Sequence, residues 1–324
     1  MTYYMKYNIT IGAYKVQTLK AVSVKKSVEQ LCDTAIITLP GTLINEALEV
    51  NDKIKVGDPV RIEFGYDGYM NEEFTGYVKK INTDDADITI ECEDELYLWE
   101  VMMKDEELHS KSCKSIIQHI AKQVSSKTGT NYNVECDYDF SYKDFTISHA
   151  TAVDVLRKIQ GECKAYVYFD GDTLHMHPQY GKGSWSGELV KYDMAINVIS
   201  TELKYVRATD QKVKVELEFT GKDGKTYKGS AGVEGGKVIK RIISSDDVGA
   251  LKRVAENEYN LWCYDGYEGS LTGWLIPYCK PTDYIEIRDK SKLFKTGRYY
   301  VVATDVTFSS GGGRRKVTIG RKMG

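Results

Sequence analysis

Two histidines are the side chains in this sequence best placed for metal chemistry. His175 and His177 alternate along a predicted strand over residues 173–177, so both lie on one face at roughly 7 Å. Zinc sites need three or four ligands, and no third histidine or cysteine belongs to the same local pattern. We therefore expect two ordinary hairpin histidines and no metal site. His109, His119 and His149 stand alone, and we expect helix or loop residues rather than general bases.

Runs of acidic residues could supply a different chemistry. Neighbouring carboxylates occur in Asp84-Asp85, Glu93-Asp94-Glu95 and Asp105-Glu106-Glu107. A glycoside hydrolase uses two carboxylates, one as an acid and the other as a nucleophile or base. These runs fall at predicted turns and charged edges, where acidic side chains are usually solvated. We expect no two-carboxylate active site from them.

Three stretches contain fragments of ligand-binding motifs. Gly224-Lys225-Thr226 ends like a phosphate-binding loop, but the motif needs a glycine five positions before Gly224, where Phe219 stands. Residues 181–187 (GKGSWSG) depart from both a dinucleotide loop and a nucleophile elbow, and a flexible linker is expected. Arg314-Arg315-Lys316 is interpreted as a charged hairpin arm rather than a nucleic-acid contact. The sequence thus predicts no catalytic residue and no cofactor, and the protein is not expected to be an enzyme.

The composition is that of a folded chain with two or three domains. Of its 324 residues, 42% are hydrophobic and 28% are charged. A net charge of -3 gives no basic footprint for sequence-specific nucleic-acid binding. Seven scattered cysteines without a C-x-x-C pair predict reduced, mostly buried thiols. No apolar run predicts a membrane helix or a signal peptide, so we expect a chain made in the cytoplasm without membrane insertion.

Apolar periodicity places the secondary structure. Alternation with a period of two, as in residues 15–24, predicts strands over the first hundred residues and again from Val198. Between them, helical spacing predicts one helix from Ser112 to Gly129 and another that starts at Thr151. A hairpin is predicted around Asp170-Gly171.

The predicted fold class is mainly β with a small α+β insert. The sequence divides into residues 1–103, a first β-barrel domain; 104–195, an α+β domain; and 196–324, a second β-barrel domain. A helical insertion is predicted near residues 245–263, with Ser245 as its N-cap.

The two strand-rich segments contain a weak internal repeat. Residues 57–62 (GDPVRI) resemble residues 281–287 (PTDYIEI), and Tyr77-Val78 corresponds to Tyr300-Val301. Residues 88–90 (ITI) similarly correspond to residues 317–319 (VTI). The spacings differ by several residues, so chance similarity between amphipathic strands is the alternative. A genuine repeat would give the chain two copies of one barrel.

Several segments, in their order along the chain, resemble the late control protein D family of phage baseplate hubs and related hubs of contractile injection systems. The matching segments are residues 37–40 (ITLP), 57–62, 74–78 (FTGYV), 152–156 (AVDVL), 165–174 (AYVYFDGDTL), 297–301 (GRYYV) and 314–320 (RRKVTIG). Residues 244–273 match by pattern alone, and their role stays open.

The resemblance implies two tail-tube-like β-barrels flanking the α+β domain and a homotrimeric, pseudo-hexameric ring. Such a ring would join the tail tube protein to the central spike protein beside other baseplate proteins. DNA or an effector would pass through its channel without sequence-specific binding. The implied location is the virion tail baseplate, or an extracellular phage-like particle, assembled in the bacterial cytoplasm. The connection from Gly41 to Gly57 is a candidate arm toward the neighbouring subunit.

Two other functions stay open at this point. A tail-associated cell-wall hydrolase would need one of the acidic runs as its active site. A cell-surface carbohydrate-binding β-module would need an exposed aromatic platform, for which Trp185, Trp262 and Trp274 are the candidates.

Overall fold

The structure is a computed structural model of the chain. It describes residues 4–41, 53–83, 87–138, 141–163, 165–179, 189–220, 225–242, 250–290 and 296–323. Strands make up most of these residues, and three α-helices accompany them within the described ranges. The mainly β fold class is therefore confirmed. Among the helices so described, none combines the length and the apolar composition needed to cross a membrane.

The first strand-rich segment forms an antiparallel sheet around its own apolar core. Its strands are β1 (Met5–Ile11), β2 (Tyr14–Lys15), β3 (Ala21–Ser27), β4 (Thr34–Leu39), β5 (Pro59–Tyr66), β6 (Tyr69–Asn82) and β7 (Ile88–Glu93). They pair in the order β2-β1-β5-β6-β7-β4-β3. Alternate side chains enter the core, as Ile62 and Phe64 do in β5. The predicted strand over residues 15–24 is interrupted, because residues 16–20 form no strand.

The middle segment packs two helices against short strands. It contains a 3-10 turn (Glu95–Trp99), β8 (Glu106–Ser112), α1 (Cys113–Thr128), β9 (Asn133–Cys136), β10 (Ser141–Ile147), α2 (Ala152–Cys163), β11 (Ala165–Asp170) and β12 (Thr173–Pro178). Helix α1 begins at its N-cap Ser112 and ends at Gly129, whose φ is +81°. Thr151 and Asp154 cap α2 reciprocally, each side chain accepting from the other residue's backbone N–H. Both helices and the hairpin at Asp170-Gly171 are as predicted.

The middle segment has a separate core. Ile116 and Ile120 of α1 meet Leu156 of α2 and Val167 of β11 there. Trp99, which is fully buried, joins them from the turn that follows β7. The turn that follows the first strand-rich segment thus contributes Trp99 to the core of the middle segment.

The third segment holds the remaining strands. They are β13 (Leu189–Asp193), β14 (Val198–Thr201), β15 (Lys204–Val206), β16 (Val213–Thr220), β17 (Thr226–Gly232), β18 (Lys237–Ile242), β19 (Gly266–Gly273), β20 (Tyr284–Arg288), β21 (Gly297–Ser309) and β22 (Gly312–Lys322). A short 3-10 turn (Ala208–Asp210) lies between β15 and β16.

A small unit is inserted within this segment. Strands β17, β16 and β18 form a sheet of their own, and helix α3 (Ala250–Trp262) packs on it through Ala255, opposite Val215 and Leu217. The predicted helix is confirmed from Ala250, whereas its proposed N-cap Ser245 lies outside the described residues. Pattern alone did not reveal that this helix and the three strands form one unit.

The other strands of the third segment repeat the topology of the first. The pairing order β1-β5-β6-β7-β4-β3 in the first segment corresponds to β13-β20-β21-β22-β19-β14 in the third. Neighbouring strands are antiparallel in both series, except that β13 pairs with β20 in parallel. We call these two series the first and second repeats.

The turn that precedes β5 in the first repeat and the turn that precedes β20 in the second repeat have the same hydrogen bonds. The backbone N–H of Lys55 donates to the carboxylate of Asp58 at 2.7 Å, and that of Lys280 donates to Asp283 at 2.8 Å. The N–H of each aspartate donates back to the carbonyl of its lysine, at 3.1 Å and 3.2 Å respectively. The aspartate therefore fixes the same tight turn twice.

The contact of this turn with the next strand is also duplicated. Gly57 N–H donates to the Val78 carbonyl at 2.8 Å, and Thr282 N–H donates to the Val301 carbonyl at 3.0 Å. Gly57 has a φ of +90° and Thr282 a φ of +79°, a region that favours glycine. Thr282 adopts the same backbone conformation as Gly57. Both repeats therefore have the same turn geometry, although only the first has a glycine at this position. These contacts agree with the predicted correspondence of residues 57–62 with 281–287 and of Val78 with Val301. The predicted match of residues 88–90 with 317–319 is wrong by two residues, because Val78 lies opposite Cys92 and Val301 lies opposite Ile319.

The two repeats share one sheet. Strand β21 pairs antiparallel with β3, from Ala303 opposite Ser27 to Ser309 opposite Ala21. At the end of β21, Phe308 stacks on Phe64 of β5 with ring centroids 4.8 Å apart. The second repeat therefore contributes to the core of the first. The division at residues 103 and 195 stays a prediction.

Candidate assembly surface

An open apolar groove of about 780 Å³ lies where the two repeats meet. Its lining residues are Met5, Tyr66, Ile196, Asn197, Trp274, Ile276, Pro277, Gly312 and Gly313. Ile196 is 70% exposed and Trp274 is 44% exposed. Contiguous exposed apolar groups of this kind mark interaction sites rather than ordinary surface.

A sheet edge adjoins the groove. Strand β14 follows Ile196 and Asn197 directly, and within the described ranges it pairs with β19 alone. Its register places Val198 opposite Gly273, which immediately precedes Trp274. The outer edge of β14 thus offers backbone donors and acceptors next to an apolar surface. This combination suits a partner that adds a strand and covers the groove.

The basic cluster does not form a positive patch. Arg314 lies over the Trp274 ring, 4.3 Å from its centroid, and Lys316 pairs with Glu202 at 2.6 Å. Arg315 points the other way and is only 1% exposed. Two of the three charges are therefore matched by carboxylates, and the interpretation as a nucleic-acid contact gains no support.

The buried Arg315 joins the two repeats. It forms a two-point ion pair with Glu73 of β6, with Nη2 2.5 Å from Oε1 and Nη1 3.1 Å from Oε2. Nη1 also donates to the Cys279 carbonyl at 2.9 Å, and the guanidinium lies over the Tyr278 ring. Burial lowers the pKa of Arg315, but the charge and hydrogen bonds of Glu73 raise it by more. Arg315 therefore stays charged inside the protein.

The acidic runs are dispersed among structural contacts. Asp94 accepts from the Leu96 backbone N–H and so caps the 3-10 turn, whereas Glu95 accepts from the Tyr132 hydroxyl at 2.8 Å. In the third run, Glu106 contacts His119 at 2.7 Å. The first run, residues 84–85, lies outside the described residues. Among the described residues of these runs, the acidic side chains named here therefore each have a separate structural partner.

One acidic pair has perturbed protonation. The Asp94 carboxylate accepts from the Asp33 backbone N–H at 2.9 Å. Burial raises the pKa of Asp33 to about 6, and burial together with the charge of Asp33 raises the pKa of Asp94 to about 7. The pair lies beneath the 3-10 turn at the start of the middle segment, so its effect is on stability.

His175 and His177 have two acidic neighbours that the sequence analysis missed. Strand β9 pairs in parallel with β12 and places Glu135 directly opposite His175. His175 Nδ1 is 3.2 Å from Glu135 and 3.4 Å from His177 Nε2. His177 Nδ1 donates to Asp137 at 2.7 Å. Glu135 and Asp137 are two residues apart, as are His175 and His177. This shared spacing was the one feature of the sequence that could have indicated the cluster.

The other candidate residues are scattered. His109 lies in strand β8 rather than in a helix or loop as predicted. It contacts Asp144, and His149 contacts Asp105, both at the surface. Trp262 is partly buried beneath Lys237 and is no platform. Gly224, Trp185 and most of the Gly41 to Gly57 connection lie outside the described residues. The six cysteines whose side chains the structure describes form no disulfide bond, in agreement with the predicted reduced thiols.

The fold can be compared with solved structures along nearly its whole length. A tail protein from Neisseria meningitidis matches with a TM-score of 0.64 at 11% identity, covering 98% of this chain and 96% of that chain. The 43 kDa tail protein of prophage MuSo2 from Shewanella oneidensis gives 0.61 at 14% identity, with 97% of each chain covered. The chain has a phage tail protein fold.

The same fold extends to secretion machinery. The c3393 protein of E. coli, a component of the type VI secretion system with structural similarity to T4 tail proteins gp27 and gp5, matches with a TM-score of 0.60 at 9% identity. The match covers 96% of this chain and 76% of that chain. No protein-family model and no curated protein matches the sequence. The similarity to tail proteins is therefore one of fold.

Proposed function

We propose that the protein is the structural hub of a phage-tail baseplate or of a related injection machine. The observation that carries this proposal is the reciprocal fold match, in which 98% of this chain corresponds to 96% of a tail protein. A generic β-module would match in one sheet and leave the helices and the inserted unit unmatched. The proposed role is positional and involves no turnover.

The duplicated topology supports a homotrimeric ring. Each chain offers two copies of one strand order, so three chains present six similar positions. Such a ring is matched to a six-fold tube on one side and a three-fold spike on the other. The proposed partners are accordingly the tail tube protein, the central spike protein and other baseplate proteins. DNA or an effector would pass through the channel, and the particle would be assembled in the bacterial cytoplasm.

The candidate assembly surface supplies the contact between copies in this proposal. A second copy of the chain is the occupant we propose, because an edge strand beside an apolar groove accepts a strand from a neighbouring sheet. A ring of sheets needs such a contact at each subunit boundary. The connection from Gly41 to Gly57 is proposed as a further arm to the neighbour.

The experiment is a measurement of mass in solution with matched variants. Light scattering after gel filtration should give three times the chain mass of 36.7 kDa, and electron micrographs should contain rings. Trp274→Glu should shift the protein toward monomer. Val238→Glu is the control, since Val238 is 47% exposed on the inserted unit, and it should stay trimeric.

A folded chain that is monomeric at every concentration would contradict the hub. The hydrolase alternative makes the opposite prediction in a second assay, because it requires the purified protein to clear a peptidoglycan suspension. We expect no clearing.

A further inference from the structure

The cluster around His175 has the geometry of a metal site. Glu135, His175 and His177 each offer one ligand atom, and these atoms all lie within 4.8 Å of one another. The parallel pairing of β9 with β12 brings Glu135 opposite His175, and the strand period of two puts His177 on the same face. Backbone pairing therefore brings the three side chains to one face of this sheet.

The distances equal those between ligands of one tetrahedral ion. Zinc binds imidazole nitrogen at about 2.0–2.1 Å, and a tetrahedron with such bonds has ligand-to-ligand edges of about 3.3–3.4 Å. The two observed edges are 3.2 Å, from His175 Nδ1 to Glu135, and 3.4 Å, from His175 Nδ1 to His177 Nε2. Two of the three edges thus have the length that one tetrahedral ion requires, and the third pair of atoms lies within 4.8 Å.

Asp137 prepares His177 to be a ligand. The Asp137 carboxylate can only accept, so the proton of His177 lies on Nδ1, which is 2.7 Å away. The lone pair of Nε2 then faces His175 and Glu135. A carboxylate that holds the far nitrogen of a metal-binding histidine is the usual second layer of a zinc site. His177 is 2% exposed, so this orientation is fixed by its surroundings.

Without a bound ion, the protons in the cluster are too few to satisfy all of its acceptor atoms by hydrogen bonds. With the His177 proton committed to Asp137, the one proton at His175 Nδ1 can serve either Glu135 or His177 Nε2. A cation would satisfy all three facing atoms at once. Tyr168 stacks on the His175 ring with centroids 4.9 Å apart, which holds that ring in place as well.

We propose that Glu135, His175 and His177 bind a divalent transition-metal ion of the zinc class, with Asp137 orienting His177. Glu135 lies at the surface, and the fourth coordination position on that side is taken by water. The ion joins the four-residue edge strand β9 to the hairpin of β11 and β12. Its role is to stabilise the middle segment, and this inference does not depend on the hub proposal.

The test uses the full-length protein, stripped with a chelator and titrated with Zn²⁺ in a calorimeter. We expect one tightly bound ion per chain and a higher melting temperature with Zn²⁺. Asp137→Asn should weaken binding by about 10–100-fold, the usual effect of losing a second-layer carboxylate. His175→Ala and Glu135→Ala should weaken it at least as much. Cobalt substitution should give the visible absorption of a four-coordinate ion.

A second cluster on the surface provides the control. Glu107, His109 and Asp144 also lie within reach of one another, but all three are exposed. His109→Ala should leave the Zn²⁺ stoichiometry and affinity unchanged. The proposal is overturned if the wild-type chain binds no Zn²⁺, or if Glu135→Ala and His175→Ala bind it as the wild type does. Glu135 is exposed, so its variant should fold even if a histidine variant does not.

Discussion

The buried ion pair between Glu73 and Arg315 should behave as a single unit, and its removal can be measured. Arg315→Met keeps the size of the side chain but leaves the Glu73 carboxylate buried without its partner. Breaking one side of a buried pair destabilises a protein by about 3–5 kcal/mol. Glu73 is 2% exposed, so water cannot replace the lost guanidinium, and the Cys279 carbonyl also loses a donor. We expect Arg315→Met to cost about 3–5 kcal/mol in free energy of unfolding.

The double variant separates this explanation from simple loss of packing. Glu73→Leu alone should also cost about 3–5 kcal/mol, because it leaves a buried cation. The combination of Glu73→Leu with Arg315→Met should cost much less than the sum, since no unpaired charge is left. Urea unfolding of the four proteins, followed by tryptophan fluorescence, gives the coupling energy.

A neighbouring exposed pair is the control for this cycle. Lys316 adjoins Arg315 and pairs with Glu202 at the surface. Lys316→Met should cost less than about 1 kcal/mol, the usual range for an exposed ion pair. The reasoning is refuted if Arg315→Met is no more harmful than Lys316→Met, or if the two substitutions in the cycle are additive.

Three further predictions concern the cores and the titrating groups. Phe308→Ala should cost about 3–5 kcal/mol in the same urea assay, because the ring fills the core shared by the repeats. The pKa values of Asp33 and Asp94 are raised to about 6 and about 7 from 3.8, so their contribution to stability is full below pH 4 and is lost as the pH rises through 6–7. Asp33→Asn should lower the pKa of Asp94 and flatten the stability profile over that window. Burial raises the pKa of Cys92 to about 12, so its thiol should react with a disulfide reagent only after unfolding.

The elements and the repeat were predictable because their causes are local. Apolar periodicity and the caps at Ser112 and Thr151 fixed the two middle helices to within a residue or two. The correspondence of Asp58 with Asp283 was visible because the same turn requires the same side chain in both repeats.

The remaining features depend on pairing across long stretches of chain. Arg315 and Glu73 are 242 positions apart, and an arginine in a basic run gives no local indication of burial. Glu135 joins the histidines because β9 lies beside β12 in parallel, a register that a four-residue strand does not encode. The pairing of β3 with β21 is likewise invisible to any window of sequence.

The sheet shared by the repeats determines how the molecule carries load. Strands β3 and β21 are hydrogen-bonded along seven residue pairs, so a pull along these strands loads those bonds in shear and all of them resist together. A hinge between two separate barrels would instead bend and absorb the motion. The pair Glu73 and Arg315 adds a second fixed point across the same boundary. A displacement applied to one repeat is therefore expected to move the other repeat with it.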